Sequence, residues 1–152
     1  MDYPKFFGRG VEEVAKDLLD RLLVRDTEKG TTSGRIIEVG AYEGGKETKS
    51  REGMKYSPGK IFLMPYRGCH LLNIATDKAG YPSCVEIRKV AFHDKIIDGS
   101  GAVANFLNID SHLDGILLGQ ELKIAGESVP ESRIKRVSGD SDNCLGYFLI
   151  KK

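Results

Sequence analysis

At 152 residues the chain is long enough for one hydrophobic core and short for two, so a single domain spanning residues 1–152 is expected. Hydrophobic residues make up 40% and charged residues 30%, the balance of an ordinary folded domain and not of a disordered chain, and the 18 glycines call for many turns. A formal net charge of +1 is too small to mark a nucleic-acid binder by itself, so the placement of cations along the chain decides more than their number.

The chain opens with Met1 to Lys5 and Phe6-Phe7, which lack the core of a signal peptide, and no later apolar run approaches the length of a bilayer span. The expectation is an intracellular protein, in cytoplasm or nucleoid, or in the nucleus of a eukaryote. Val11, Val14, Ala15, Leu18, Leu19 and Leu22 form one stripe at helical spacing, with Glu12 and Glu13 at the positive end of the predicted helix. Leu22 to Arg25 turns strand-like, Asp26 to Ser33 reads as a polar turn around Gly30, and Arg35 to Tyr42 is an Ile- and Val-rich strand, together a hairpin. Lys46, Lys49, Arg51, Lys55 and Lys60 then stand against Glu47 and Glu52 in a stretch broken by Gly53, Ser57, Pro58 and Gly59, the pattern of a basic loop.

Lys60 to Met64 and Cys69 to Ala75 bracket Pro65-Tyr66-Arg67-Gly68, which predicts an exposed turn with Tyr66 near its tip. Past Asp77 to Pro82, the strand Cys84 to Val90 alternates so that Glu86 and Arg88 face one way and Val85 and Ile87 the other. Gly101 to Leu107 predicts a short helix burying Ala102, Val103, Phe106 and Leu107, and strands follow at Leu122 to Ala125, Arg133 to Val137 and Tyr147 to Ile150. Strands grouped as hairpins predict an α+β domain on a curved, mostly antiparallel sheet with flanking helices. Cys69, Cys84 and Cys144 are odd in number and unpaired in spacing, which suits free thiols, and His70, His93 and His112 lack the spacing of metal ligands.

Arg35-Ile36-Ile37-Glu38-Val39-Gly40-Ala41-Tyr42, followed by Gly44, is similar to the strand R-I-V-E-T-E-A-Y-x-G of the alkylpurine (3-methyladenine) DNA glycosylases, with glycine at the position of that family's catalytic glutamate. Phe6-Phe7, Val14 to Leu19 and Leu23-Val24-Arg25 resemble its opening helix and first strand. Gly53-Met54 with Pro58-Gly59 resembles its G-M-x-x-x-P-G segment, Asn73-Ile74 its M-N-I strand, and Ser83 to Arg88 its A-V-L-I-R strand. Gly99 to Ile109, Arg136-Val137 and Tyr147-Phe148 match its later helix and closing strands, so the resemblance runs colinearly along nearly the whole chain. It implies the family's fold, which is like the C-terminal domain of a formyltransferase.

The resemblance also implies a role for particular residues. The family hydrolyses the N-glycosidic bond of a damaged purine that has been rotated out of duplex DNA into a pocket. Tyr66 matches its intercalating tyrosine, and Tyr42 the tyrosine that stacks on the extruded base. Leu63 or Met64, with Phe62 close in sequence, falls at the opposite wall. Asn73 matches the asparagine that screens exocyclic groups, Arg88 the arginine that holds the attacking water, and Val137 a backbone carbonyl near that water. Packing within the sheet is the structural alternative for Tyr42, and a salt bridge to Glu86 or Glu38 the alternative for Arg88. Lys49 replaces the histidine of an H-S-R segment before Ser50-Arg51, and Ala102 replaces a helix lysine, leaving Lys49, Arg51 and Arg67 as contacts to the DNA backbone.

Inverting hydrolysis needs a carboxylate to accept the water's proton. Gly40 has none, and Glu38, two residues earlier and about 6 to 7 Å along the same strand face, is the expected substitute base. The implied partner is double-stranded DNA bearing an alkylated or deaminated purine, met by a monomer without a membrane. No metal or organic cofactor is implied. No lysine is marked as the amine nucleophile of a lyase, so the implied enzyme is monofunctional. The alternative is a lesion-binding module that kept the wedge and lost the base.

Overall fold

The computed structural model describes residues 1–43, 56–79, 83–137 and 144–149, so Lys49, Arg51, Gly44 and the Gly53-Met54 pair lie outside the described residues. Helix α1 (Tyr3–Phe7) starts where the Asp2 carboxylate accepts the backbone N–H of Lys5 at 3.0 Å, with Pro4 in the first turn, where its missing N–H costs nothing. Helix α2 (Val11–Leu18) buries Val11, Val14, Ala15 and Leu18. It stops earlier than the apolar stripe suggests. Leu19 is extended and Asp20 takes φ 71°, so the chain reverses, and Leu22, 39% exposed, begins a strand instead of closing the helix.

Strands β1 (Leu22–Thr27) and β2 (Gly30–Tyr42) form the first hairpin, and Thr27 pairs with Gly30. The turn is therefore Glu28-Lys29 alone rather than the eight residues expected from polarity. Thr31, Thr32 and Ser33 join the ladder, where β-branched threonine is favoured, and Thr31 Oγ1 donates to the Asp26 carboxylate at 2.8 Å across it. Strands β3 (Ile61–Tyr66) and β4 (Cys69–Ala75) form the second hairpin. Strand β5 (Cys84–Phe92) turns at His93-Asp94, with His93 at φ 54°, into β6 (Lys95–Asp98), a short strand that the sequence patterning did not reveal.

Helix α3 (Ser100–Phe106) follows, then β7 (Leu122–Ala125), β8 (Ile134–Val137) and β9 (Cys144–Leu149). Among the described residues all nine strands belong to one sheet, ordered β3-β4-β5-β2-β1-β7, with β6 on β5 and β8 joined through β9 to β2; every pairing is antiparallel. This is the α+β, curled antiparallel architecture expected from the sequence. The long strand β2 organises it, because its first half pairs with β1, its second half with β9, and β5 runs along its other edge.

The β2–β5 register slips on either side of Glu38, and the slip sets which residues face the core. Before it Ile36 is buried in the main cluster; after it Val39 and Ala41 are, so Glu38, Gly40 and Tyr42 project from the other face. Helix α2 packs on β2 and β5, while α3 packs against β4, β5 and β6. Helix α3 buries Val103 and Ala104, joined by Leu107, but Ala102 is exposed, so the expected stripe is rotated by one position. No helix among the described residues is long and apolar enough to cross a membrane.

Candidate active site

In an antiparallel sheet, residues paired across strands project from the same face and lie about 4.5 to 5.5 Å apart. Following the register from β8 to β3 joins Val137 to Gly146, Gly146 to Gly40, Gly40 to Glu86, Glu86 to Asn73 and Asn73 to Phe62. Three of the residues singled out by resemblance, Val137, Gly40 and Asn73, thus fall on one row across the sheet. Glu86 stands between two of them. Tyr42 and Arg88 lie two residues along from Gly40 and Glu86 on the same face.

The Arg88 guanidinium occupies the space above Gly40. A Cβ built at position 40 would stand 2.7 Å from Nε and 2.8 Å from both Cζ and Nη2 of Arg88, far inside ordinary contact. Arg88 Nε donates to Glu86 at 2.9 Å, and both side chains are about one-tenth exposed. Arg88 Nη2 also donates to the Tyr42 hydroxyl at 3.4 Å. Carboxylate, guanidinium and phenol thus form a chain across the two strands, and the missing side chain at Gly40 makes room for its centre. The salt-bridge alternative for Arg88 holds for Glu86; Glu38 sits between the two slips of the β2–β5 register, with its carboxylate 3.6 Å from Lys89 Nζ. Glu43 follows the end of β2 and is exposed.

Asn73 is 3% exposed, with Nδ2 donating to the Leu71 carbonyl at 3.1 Å and Oδ1 accepting from the Cys84 thiol at 3.5 Å. Beyond it the same face carries a second apolar cluster of Phe62, Ala75 and Cys84, against which Tyr42, Tyr56 and Met64 pack. Leu63 turns into the main core, whereas Phe62 and Met64 face the site. Tyr56 adds an aromatic that sequence reasoning missed: its ring lies 5.2 Å from that of Phe62, and its hydroxyl donates to Asp114 at 3.0 Å. Burial and the Asp114 carboxylate push the Tyr56 phenol upward, which keeps it a neutral hydrogen-bond donor.

Tyr66 ends β3, paired with Cys69, and by alternation projects from the same face as Phe62 and Met64. Arg67 at φ 48° and Gly68 at φ 80° make the two-residue turn whose twist matches a hairpin. Tyr66 is 48% exposed, and the Arg67 guanidinium lies 5.1 Å over its ring, a cation–π contact that presents ring and positive charge together. Of the residues expected to touch the DNA backbone, Arg67 is therefore beside the exposed aromatic, and Lys49 and Arg51 fall outside the described residues. Among the described residues no group of three or more His, Cys, Asp or Glu is arranged to hold a metal ion.

The site residue that sequence reasoning undervalued is Glu86, which alternation placed on the face of Arg88 but nothing in the linear sequence placed beside Gly40. Its signal lies in the register.

The family model of the methylpurine-DNA glycosylases matches residues 5–138. A provisionally named 3-methyladenine DNA glycosylase of Streptomyces avermitilis is 30% identical, over 90% of this chain and 81% of its own length. Proteins given the same provisional name in Methanocella arvoryzae and Synechococcus elongatus are 31% and 37% identical, over 72% and 70% of this chain and 68% and 62% of their own lengths. With most of its residues matched by one family model, and a relative aligned over nine-tenths of it, this chain belongs to the methylpurine-DNA glycosylase family.

Proposed function

We propose that this protein is a monofunctional DNA N-glycosylase that turns an alkylated or deaminated purine out of duplex DNA and hydrolyses its N-glycosidic bond in base excision repair. The observation that carries this reading is the shared face on which Tyr42, Asn73, Arg88 and Glu86 converge, with Tyr66 exposed at the end of the adjoining hairpin. A flipped base needs an aromatic to stack on, a polar screen at its edge and a wedge to fill the vacated stack. Tyr42, Asn73 and Tyr66 have those chemistries on one side of one sheet. The protein acts as a monomer on double-stranded DNA, with phosphates met by Lys49, Arg51 and Arg67, and the attacking water lies near Arg88 and the Val137 carbonyl.

The test is formation of alkali-labile abasic sites in end-labelled duplexes carrying hypoxanthine, ethenoadenine or 3-methyladenine. Strand scission at the lesion alone is expected. Failure to release any lesion with protein in large excess over DNA would overturn the reading. Gly40 favours a second reading, a catalytically impaired lesion-binding module, which predicts lesion-selective binding in the same duplexes with no abasic sites.

A further inference from the structure

The geometry points to Glu86 as the general base of this site, supplying from strand β5 the carboxylate that Gly40 on β2 lacks. The inference rests on the glycosylase reading and goes beyond it by naming the residue that takes the water's proton.

Two carboxylates compete for the role, and distance separates them. Glu86 is the cross-strand partner of Gly40, so their Cα atoms lie about 4.5 to 5.5 Å apart on one face. Glu38 is two residues along β2, about 6.5 to 7 Å away, and its carboxylate is 3.6 Å from Lys89 Nζ. Glu86 instead holds Arg88 at 2.9 Å, and that guanidinium lies within 2.8 Å of where a Cβ of residue 40 would be. Glu86 is also paired with Asn73 on its other side, so it stands in the row between Gly40 and the residue that would meet the purine edge. It is 6% exposed and hydrogen-bonded to a donor that remains cationic, which holds the carboxylate in place as a proton acceptor.

The step balances for a purine that alkylation has made cationic. The water oxygen forms a bond to C1′ while the bond from C1′ to the purine nitrogen breaks. Its electron pair leaves with the purine, which departs neutral without needing a proton. The water proton passes to the Glu86 carboxylate. Arg88, tied to Glu86 through Nε and to the Tyr42 hydroxyl through Nη2, fixes that carboxylate beside the stacked base and orients the water between them.

The experiment uses the full chain and dimethyl-sulfate-methylated duplex DNA, with released 3-methyladenine and 7-methylguanine separated by chromatography under single-turnover conditions. Glu86→Gln is expected to slow release by roughly 10²- to 10⁴-fold, the range for loss of a general base, while binding to the methylated duplex changes less than about threefold. Glu38→Gln tests the rival carboxylate, and with Glu86 as the base it is expected to slow release at least tenfold less than Glu86→Gln does. Should Glu86→Gln fail to fold, as judged by circular dichroism, Glu86→Asp decides. That variant keeps the charge but retracts it by one methylene, and a loss of tenfold or more with unchanged binding supports the assignment. Release by a folded Glu86→Gln at the unaltered rate, an undiminished Glu86→Asp, or loss on Glu38→Gln in place of Glu86→Gln overturns the assignment and leaves the glycosylase reading standing. Absence of release by the unaltered protein overturns both.

Discussion

Gly40 is the position at which sequence and structure say different things about one residue. In the sequence it is a missing carboxylate; in the fold it is the floor beneath Arg88. A side chain there displaces a guanidinium held by Glu86 and Tyr42, because a Cβ would stand 2.7 Å from Arg88 Nε. The obstructing atoms are the far end of a flexible side chain, so the fold tolerates the change at the cost of the ion pair's geometry. Gly40→Ala is therefore expected to lower unfolding free energy by about 1 to 2 kcal/mol, the lower range for overpacking. It is also expected to slow base release more than it weakens duplex binding. Urea denaturation and single-turnover release measure the two effects; a variant as stable and as fast as the parent would show that Arg88 has another equally good resting place. The same crowding means that restoring glutamate at this position does not simply restore a base.

At the scale of elements, helix α2 is clamped to the closing strand β9 by the Tyr147 hydroxyl, which donates to the Glu12 carboxylate. Tyr147 is 3% exposed, and burial, followed by the hydrogen bond and negative charge of Glu12, raises its ionisation well above the usual value near 10. Unfolded tyrosine loses its proton from about pH 10 while the folded one retains it, so alkali favours the unfolded chain. Stability is thus fully supported by this group below pH 10 and declines as pH climbs toward the folded value. Tyr147→Phe is expected to cost about 1 kcal/mol at neutral pH, the typical net worth of a hydrogen bond, and to flatten the alkaline decline. Tyr56, raised by burial and by Asp114, stays in the variant and keeps part of that slope. Denaturation midpoints between pH 8 and 11 measure it; an unchanged slope would detach Tyr147 from the effect.

Such elements were legible in the sequence wherever a period ran uninterrupted. The stripe Val11 to Leu18 and the alternation Val85 to Arg88 fold as their spacing implies. Legibility failed where local polarity and tertiary pairing disagreed. Thr31 to Ser33 look like a turn but complete a ladder, and Lys95 to Asp98 are too short and polar to announce a strand until β5 pairs with them. The site shows the same division. Glu86 and Arg88 share a face on β5, and Gly40 and Tyr42 share one on β2, because parity within a strand is a local property. Glu86 comes to lie beside Gly40 only because the β2–β5 register, with its slip around Glu38, brings those two together.

At the scale of the whole molecule, the row from Val137 to Phe62 crosses six strands drawn from both ends of the chain. No separable piece of the described sheet contains it. The main core is likewise one cluster, running from Phe7 and α2 through β2 and β5 to Tyr147. The described residues are therefore expected to unfold as one cooperative unit, since β2 cannot lose β9 or β5 without opening the core and the site together. With no tryptophan in the chain, tyrosine fluorescence reports tertiary packing around residues such as Tyr147 and Tyr42, and far-ultraviolet circular dichroism reports the sheet. Urea curves from the two probes are expected to coincide, and binding of a lesion-bearing duplex at a concentration too low to stabilise the fold should vanish at the same midpoint. Two resolved transitions, or binding that persists after the first, would mean that the sheet opens in parts and that binding does not need the whole row.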